Sequence, residues 1–227
     1  IFDDKVNVIS NKMDNLLFNV TITFESGSEG SLLRDFNFMN YDREAVIIDG
    51  ASDITVSNNN FTDMFKSNKA DSVILIKGIC DDIVIASNNI YTNAKSKYSY
   101  AINAPVINKY GFVNDRLSTG LSVRNNVIIM ISTNVAEAIY TDAFTSSEFR
   151  NNKINIISDG AAYGISFAKM SSKLSNINVT NNEIVIHSND MAYLIEFHIV
   201  DNSTIANNKL YSDCNSSFAI GLYQSCN

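Results

Sequence analysis

Apolar and polar residues alternate in short runs along this chain, and each run ends at a pair of small polar residues before the alternation resumes. The pattern apolar-x-apolar-x-Asn-Asn-x-apolar is carried by Ile54, Val56, Asn58, Asn59 and Phe61. It returns at Ile83, Ile85, Ser87, Asn88 and Ile90, and at Leu121, Val123, Asn125, Asn126 and Ile128. Further copies sit at Phe149, Asn151, Asn152 and Ile154, at Ile177, Val179, Asn181, Asn182 and Ile184, and at Ile205, Asn207, Asn208 and Leu210. Val6, Val8, Ser10, Asn11 and Met13 fit upstream, and Leu33, Asp35, Phe36 and Phe38 fit loosely. Period-2 alternation punctuated by Asn, Ser and Asp predicts β-strands, and no segment sustains a 3.6-residue period.

Anchored on the second turn residue, the eight copies are spaced 23 to 38 residues apart. A second strand-like run follows each turn, as in "AVIIDG", "SVILIKG", "AAYGISFA" and "MAYLIEFHI". Coils of short strands with loops of variable length predict an all-β fold, a right-handed parallel β-helix (solenoid) of about eight coils with Asn-rich turns. A Greek-key sandwich accounts for the strand count but not for the recurring turn chemistry. Asn tolerates the left-handed conformation of a sharp corner. An inward Asn also bonds its counterparts above and below. The expectation is an interior asparagine ladder of Asn58, Asn125, Asn151 and Asn181, with the other member of each pair making the turn. The phenylalanines Phe18, Phe24, Phe36, Phe38 and Phe61 read as core stacking in the early coils.

Composition sharpens this picture. The 227 residues include 32 Asn and one Pro, Pro105. So much Asn opposes helix, because its side chain competes for backbone hydrogen bonds. A net charge of −7 excludes a basic nucleic-acid surface and a polybasic membrane-surface module. No apolar run is long enough to insert in a bilayer as a helix. Residues 1–227 read as a single β-helix domain, a fragment of a larger surface protein. Cys80, Cys214 and Cys226 show no metal-binding spacing; Cys214 and Cys226 either close a small loop or remain thiols. Sequons begin at Asn19, Asn60, Asn178, Asn202 and Asn215.

Repeats of "IxVxNNxI" followed by "AYxIxF" strands resemble the pectate-lyase-like right-handed β-helix superfamily. The Asn-, Ile- and Ser-rich, Pro-poor texture resembles the β-helical repeat regions of adhesin-like surface proteins, notably those of methanogenic archaea. That resemblance implies an extracellular or cell-surface protein displaying a β surface for attachment, and it carries over no functional residue.

Catalysis on such a scaffold needs outward residues of neighbouring coils to line up. Aligning Ile102, Ile139, Ile165, Ile195 and Ile220 as inward residues turns Asn103, Tyr140, Ser166, Glu196 and Gly221 outward. Two residues further on come Pro105, Asp142, Ala168, His198 and Tyr223. Asp142, Glu196 and His198 are therefore the catalytic candidates if the chain is an enzyme. Asp81–Asp82 reads as a turn. Asp49, Lys77 and Asn103 are candidates for one column, with too few acids for calcium. The longest interval, between Asn88 and Asn126, holds Tyr98, Tyr100, Lys109, Tyr110 and Arg116, which with Tyr140 and Tyr223 are the binding candidates. No cofactor or metal is expected. The reading is a non-catalytic adhesin-like or structural domain that meets a glycan or protein on another cell. The alternatives are a carbohydrate-active β-helix enzyme and a plain spacer.

Overall fold

The structure, a computed structural model, describes residues 21–39, 44–64, 71–95, 97–106, 116–167 and 173–223, and the backbone of Asn7–Ile9. Among these residues there is no helix, and the strands pair in parallel from coil to coil. The first sheet stacks eight short strands: Asn7–Ile9, Leu32–Arg34, Thr55–Ser57, Val84–Ala86, Ser122–Arg124, Ser147–Arg150, Ile177–Thr180 and Thr204–Ala206. The second sheet holds Asn37–Met39, Asn60–Met64, Asn89–Ala94, Val127–Ser132 and Lys153–Ser158. The third holds Ile22–Glu25, Val46–Asp49, Ser72–Lys77, Tyr98–Ala104, Val135–Thr141 and Ala162–Phe167. The strands Glu183–His198 and Lys209–Tyr223 run round the corner between these two sheets and belong to both. The described residues thus form a parallel β-solenoid of about seven coils, preceded by strands of an earlier one.

Inward residues of one coil sit on those of the next. Ile22, Val46, Ile74, Ile102, Ile139, Ile165, Ile195 and Ile220 are in register through the whole third sheet. In the first sheet Leu33, Val56, Ile85, Val123, Phe149 and Val179 form a wholly buried file. Phe38 and Phe61 stack at 4.8 Å with an 8° interplanar angle. Phe24 is buried and Phe36 half-buried; Phe18 lies outside the described residues. Burying each such side chain stabilises the fold by about 1.5–3 kcal/mol.

The corner between the first and second sheets corrects the expectation about the Asn pairs. Asn58, Asn125, Asn151 and Asn181 have φ of 55°, 58°, 57° and 56° and face solvent. The second Asn of each pair turns inward instead. The reason is geometric: the left-handed residue turns the chain at the corner, and the residue after it points into the cylinder. Asn59, Asn88, Asn126, Asn152, Asn182 and Asn208 follow one another up the axis, each amide Nδ2 donating to the next Oδ1 at 2.9–3.1 Å. At Asn126 the same Nδ2 donates to Ile85 O at 2.9 Å, and the backbone N–H donates to Asn152 Oδ1 at 3.1 Å. Its Oδ1 accepts from the N–H and the Nδ2 of Asn88. Two donors and two acceptor positions are filled, the full capacity of an amide. One coil earlier Phe36 stands in this place, and its N–H donates to Asn59 Oδ1 at 3.0 Å.

The corner entering the first sheet repeats the left-handed device at Asp53, Asp82, Ser146, Asn176 and Asn202, and with Gly120. Asp82 thus takes the turn position its sequence context predicts.

Replacing Asn152 with Leu takes the acceptor from the Asn126 N–H and from one Nδ2 hydrogen of Asn126, and one donor each from Val123 O and Asn182 Oδ1, inside the cylinder. At about 1–3 kcal/mol for each buried unsatisfied group, the loss should be at least about 3 kcal/mol. Asn151→Gly, at a position with φ of 57°, should change stability by only a few tenths of a kcal/mol. Urea unfolding of the two variants beside the unsubstituted chain checks both, and equal effects at the two positions would contradict the assignment.

Candidate functional site

Outward positions on the third sheet are set by an irregularity that recurs in the ladders from Ser72–Lys77 onward. The ladder pairs Tyr100 with Glu137 and Ile102 with Ile139 but skips Ala101 and Ala138. It skips Gly164 and Leu194 in the same way in the following coils. These residues are buried beside the inward Ile. Two consecutive inward residues therefore separate two outward columns. The first is Tyr100, Glu137, Tyr163, Tyr193 and Phe218; the second is Asn103, Tyr140, Ser166, Glu196 and Gly221.

Aromatic rings dominate the first column. Tyr163 and Tyr193 stack at 5.4 Å with a 3° interplanar angle, and Tyr193 stacks on Phe218 at 4.7 Å and 9°. Tyr100 meets Tyr140 edge to face at 5.7 Å. His198 and Tyr223 stack at 4.5 Å, and the Tyr223 hydroxyl donates to that of Tyr193 at 3.0 Å. Gly221 gives Tyr223 its place: a Cβ there would lie 2.9 Å from the Tyr223 ring and 3.2 Å from that of Tyr193.

Three carboxylates share this face in different settings. Asp142 accepts from Val106 N–H at 2.6 Å and from the Tyr140 hydroxyl at 3.1 Å. Burial pushes its carboxyl up, against the pull of those donors. Glu196 accepts from the Ser166 hydroxyl at 3.0 Å and bonds His198 Nε2 at 3.0 Å. Glu137 is half-buried, and its carboxyl is pushed up to about 8, by burial first and by the charge of Glu196 second. Burial likewise raises Tyr100 and Tyr140, and lifts Tyr163 to about 12. Tyr193 is raised mainly by its hydrogen bond with Tyr223. These phenols are neutral at physiological pH.

The face brings together Tyr100, Tyr140, Asp142, Glu196, His198 and Tyr223 from the sequence candidates. Tyr98, 44% exposed, lies at its edge, with the Lys97 ammonium 5.3 Å from its ring centre. Arg116 lies instead at the corner entering the first sheet, where its guanidinium bonds Asp81 at 2.8 Å. Lys109 and Tyr110 are outside the described residues. Asp49 and Lys77 pair at 3.2 Å, but Asn103 stands level with Leu75 and so leaves that column. Asp142 and His198 are two coils apart, about 10 Å along the axis, and Asp142 and Glu196 are each held by their own donors. Among the described residues no three His, Cys, Asp or Glu side chains form a metal-binding group. Cys80 is buried, its thiol pushed up to about 11; Cys214 is half-buried, and Cys226 lies outside the described residues. The sequons at Asn60, Asn178, Asn202 and Asn215 are exposed.

Glu137, Tyr163, Tyr193 and Phe218 escape a strict period-2 reading. That reading turns every second residue inward and places Glu137, two before Ile139, in the core. The signal that would have found them is the residue before each aligned Ile: Ala101, Ala138, Gly164 and Leu194, small or apolar in every coil.

No protein-family model matches this sequence, and no curated protein matches it. Among solved structures, the chain is similar to the Streptococcus pneumoniae surface protein and adhesin PfbA. The TM-score is 0.50 at 15% identity, covering 89% of this chain and 68% of that one. The likeness is one of fold.

A carboxyl whose folded pKa lies near 8, above its ordinary 4.5, favours folding below pH 4.5 and loses that contribution as pH rises through 8. Glu137→Gln should therefore gain stability over the unsubstituted chain as pH rises from 5 to 9. The gain should reach about 2 kcal/mol at pH 9, a value that discounts the shift for partial solvent screening. Urea midpoints of both proteins at pH 5, 7 and 9 measure it, and parallel pH profiles would rule out the buried, charge-opposed setting of Glu137.

Proposed function

We propose that this chain is a non-catalytic, adhesin-like domain of an extracellular or cell-surface protein, and that the outer face of its third sheet meets a glycan or protein on another cell. The observation that carries this reading is the outward file of Tyr100, Tyr163, Tyr193 and Phe218, broken only at Glu137. Tyrosine is enriched where proteins meet partners, because its ring supplies contact area and its hydroxyl a polar handle. The fold similarity to a pneumococcal surface adhesin supports the placement, as does the Asn-rich texture with its single proline. That texture resembles adhesin-like surface proteins, notably those of methanogenic archaea, built of pectate-lyase-like β-helix repeats.

Geometry speaks against the carbohydrate-active alternative. Paired glycosidase carboxylates stand about 5–9.5 Å apart across the scissile bond. Here Asp142 and Glu196 belong to coils two apart and are each occupied by neighbouring donors.

The test is to screen the chain on glycan and cell-surface protein arrays while assaying acidic polysaccharides for new reducing ends and unsaturated products. Binding without turnover is expected, with at least a tenfold loss in Tyr193→Ala. Turnover abolished by Glu196→Gln would replace this reading with an enzyme.

A further inference from the structure

The aromatic column of the third sheet is interrupted once. Tyr100, Tyr163, Tyr193 and Phe218 share one register file, but Glu137 occupies the level between Tyr100 and Tyr163. Tyr163 has one ring face covered by Tyr193, so its other face is turned toward the coil of Glu137. Tyr140, on the same strand as Glu137, closes a third side by its contact with Tyr100. A carboxyl group thus sits in a break lined by three neutral phenol rings.

Nothing within the described chain balances that carboxyl group. It has no hydrogen-bond or ion-pair partner among the described residues, and Glu196 nearby is also an acid. The one basic group beside Glu196, His198, is bonded to it. Asp142 lies on the far side of Tyr140, adding a further acid to this part of the face. Asn103 Oδ1, in the second outward column and level with Tyr140, is buried without a hydrogen-bond partner.

The dimensions of the break suit a cation. Two coils separate Tyr100 from Tyr163, about 10 Å at the usual strand spacing. A cation above Glu137 would lie about 5 Å from each ring, inside the roughly 6 Å range of cation–π attraction, with a carboxylate beneath it. A sugar ring is served less well. Tyr193 has both ring faces covered, by Tyr163 and Phe218, and the remaining face of Tyr163 looks into the break.

We propose that the break in the aromatic column at Glu137, between Tyr100, Tyr140 and Tyr163, receives a lysine or arginine side chain presented by a protein partner. This rests on the reading of the third sheet as the contact face and narrows it to a basic protein segment. Glu196 and Glu137, the latter once the arriving cation favours loss of its proton, supply the countercharge, and the three rings supply the cation–π walls.

The test uses the full chain with its glutamate carboxyls labelled with carbon-13, titrated by NMR with acetyl-Gly-Lys-Gly-amide, its norleucine counterpart and a glucosamine tetramer. The lysine peptide should bind with a dissociation constant on the order of 1 mM. It should lower the Glu137 titration midpoint by at least one pH unit, and the norleucine peptide should leave it unmoved. Glu137→Gln should weaken lysine-peptide binding at least tenfold, and Tyr163→Leu, which keeps the carboxylate, several-fold. Unmoved Glu137 at saturating lysine peptide, or undiminished binding by Glu137→Gln, would overturn the proposal. So would a midpoint moved by the glucosamine tetramer but not by the lysine peptide, which would assign the site to an amino glycan. The two readings fail separately. A chain silent on every array that still shows the lysine-dependent shift keeps the cation site and loses the adhesive role; array binding with an unmoved Glu137 does the reverse.

Discussion

A buried amide must satisfy two donors and two acceptor positions at once, and in this solenoid the amides one coil above and below, with a backbone N–H and a backbone carbonyl beside them, do so. That reciprocity organises the corner between the first and second sheets. Once Asn126 is fixed by Asn88 and Asn152, the register of the adjoining strands follows, because their alternation is counted from that corner. A slip of one residue would turn every inward side chain out and break the amide column together. The hydrophobic files then add stability to an alignment the polar column has already specified. The column also accounts for the composition: each coil needs a left-handed residue followed by an inward amide, and Asn serves both roles.

Much of this architecture is legible from the chain. The parallel solenoid follows from a repeated turn signal at irregular spacing, and the third-sheet alignment through Ile102, Ile139, Ile165, Ile195 and Ile220 is found in the structure. Which Asn of each pair faces inward is not legible from composition, because both members are the same residue. The backbone decides it: Asn151, with φ of 57°, makes the corner, and Asn152, the residue before the next strand, is the one that is buried. The aromatic column is hidden for a different reason. Its members lie on the far side of two consecutive inward residues, so the alternation that finds Tyr140 and Glu196 loses count at Ala138 and Leu194. Glu137 is correspondingly misplaced into the core, and only the stacked irregularity returns it to the surface.

The third sheet also shows how a repetitive scaffold acquires a distinct locality. Its inward Ile file is nearly invariant from coil to coil, and its outward positions vary freely. Tyr100, Glu137 and Tyr163 are consecutive members of one file, yet the middle one differs in charge and in size. A local environment arises where the repeat is broken, against neighbours held in place by a repeat that is otherwise kept.

The direction of the inter-coil bonds has a mechanical consequence. Backbone ladders and the Asn amides all run along the cylinder axis, so a pulling force along that axis loads the coil interfaces in series. Every interface then carries the full tension, and the weakest coil peels away first. The 26 residues separating Asn126 from Asn152 would extend to about 90 Å once released. Under load, such a chain lengthens in discrete steps of one coil, each dissipating work while the remaining coils stay folded.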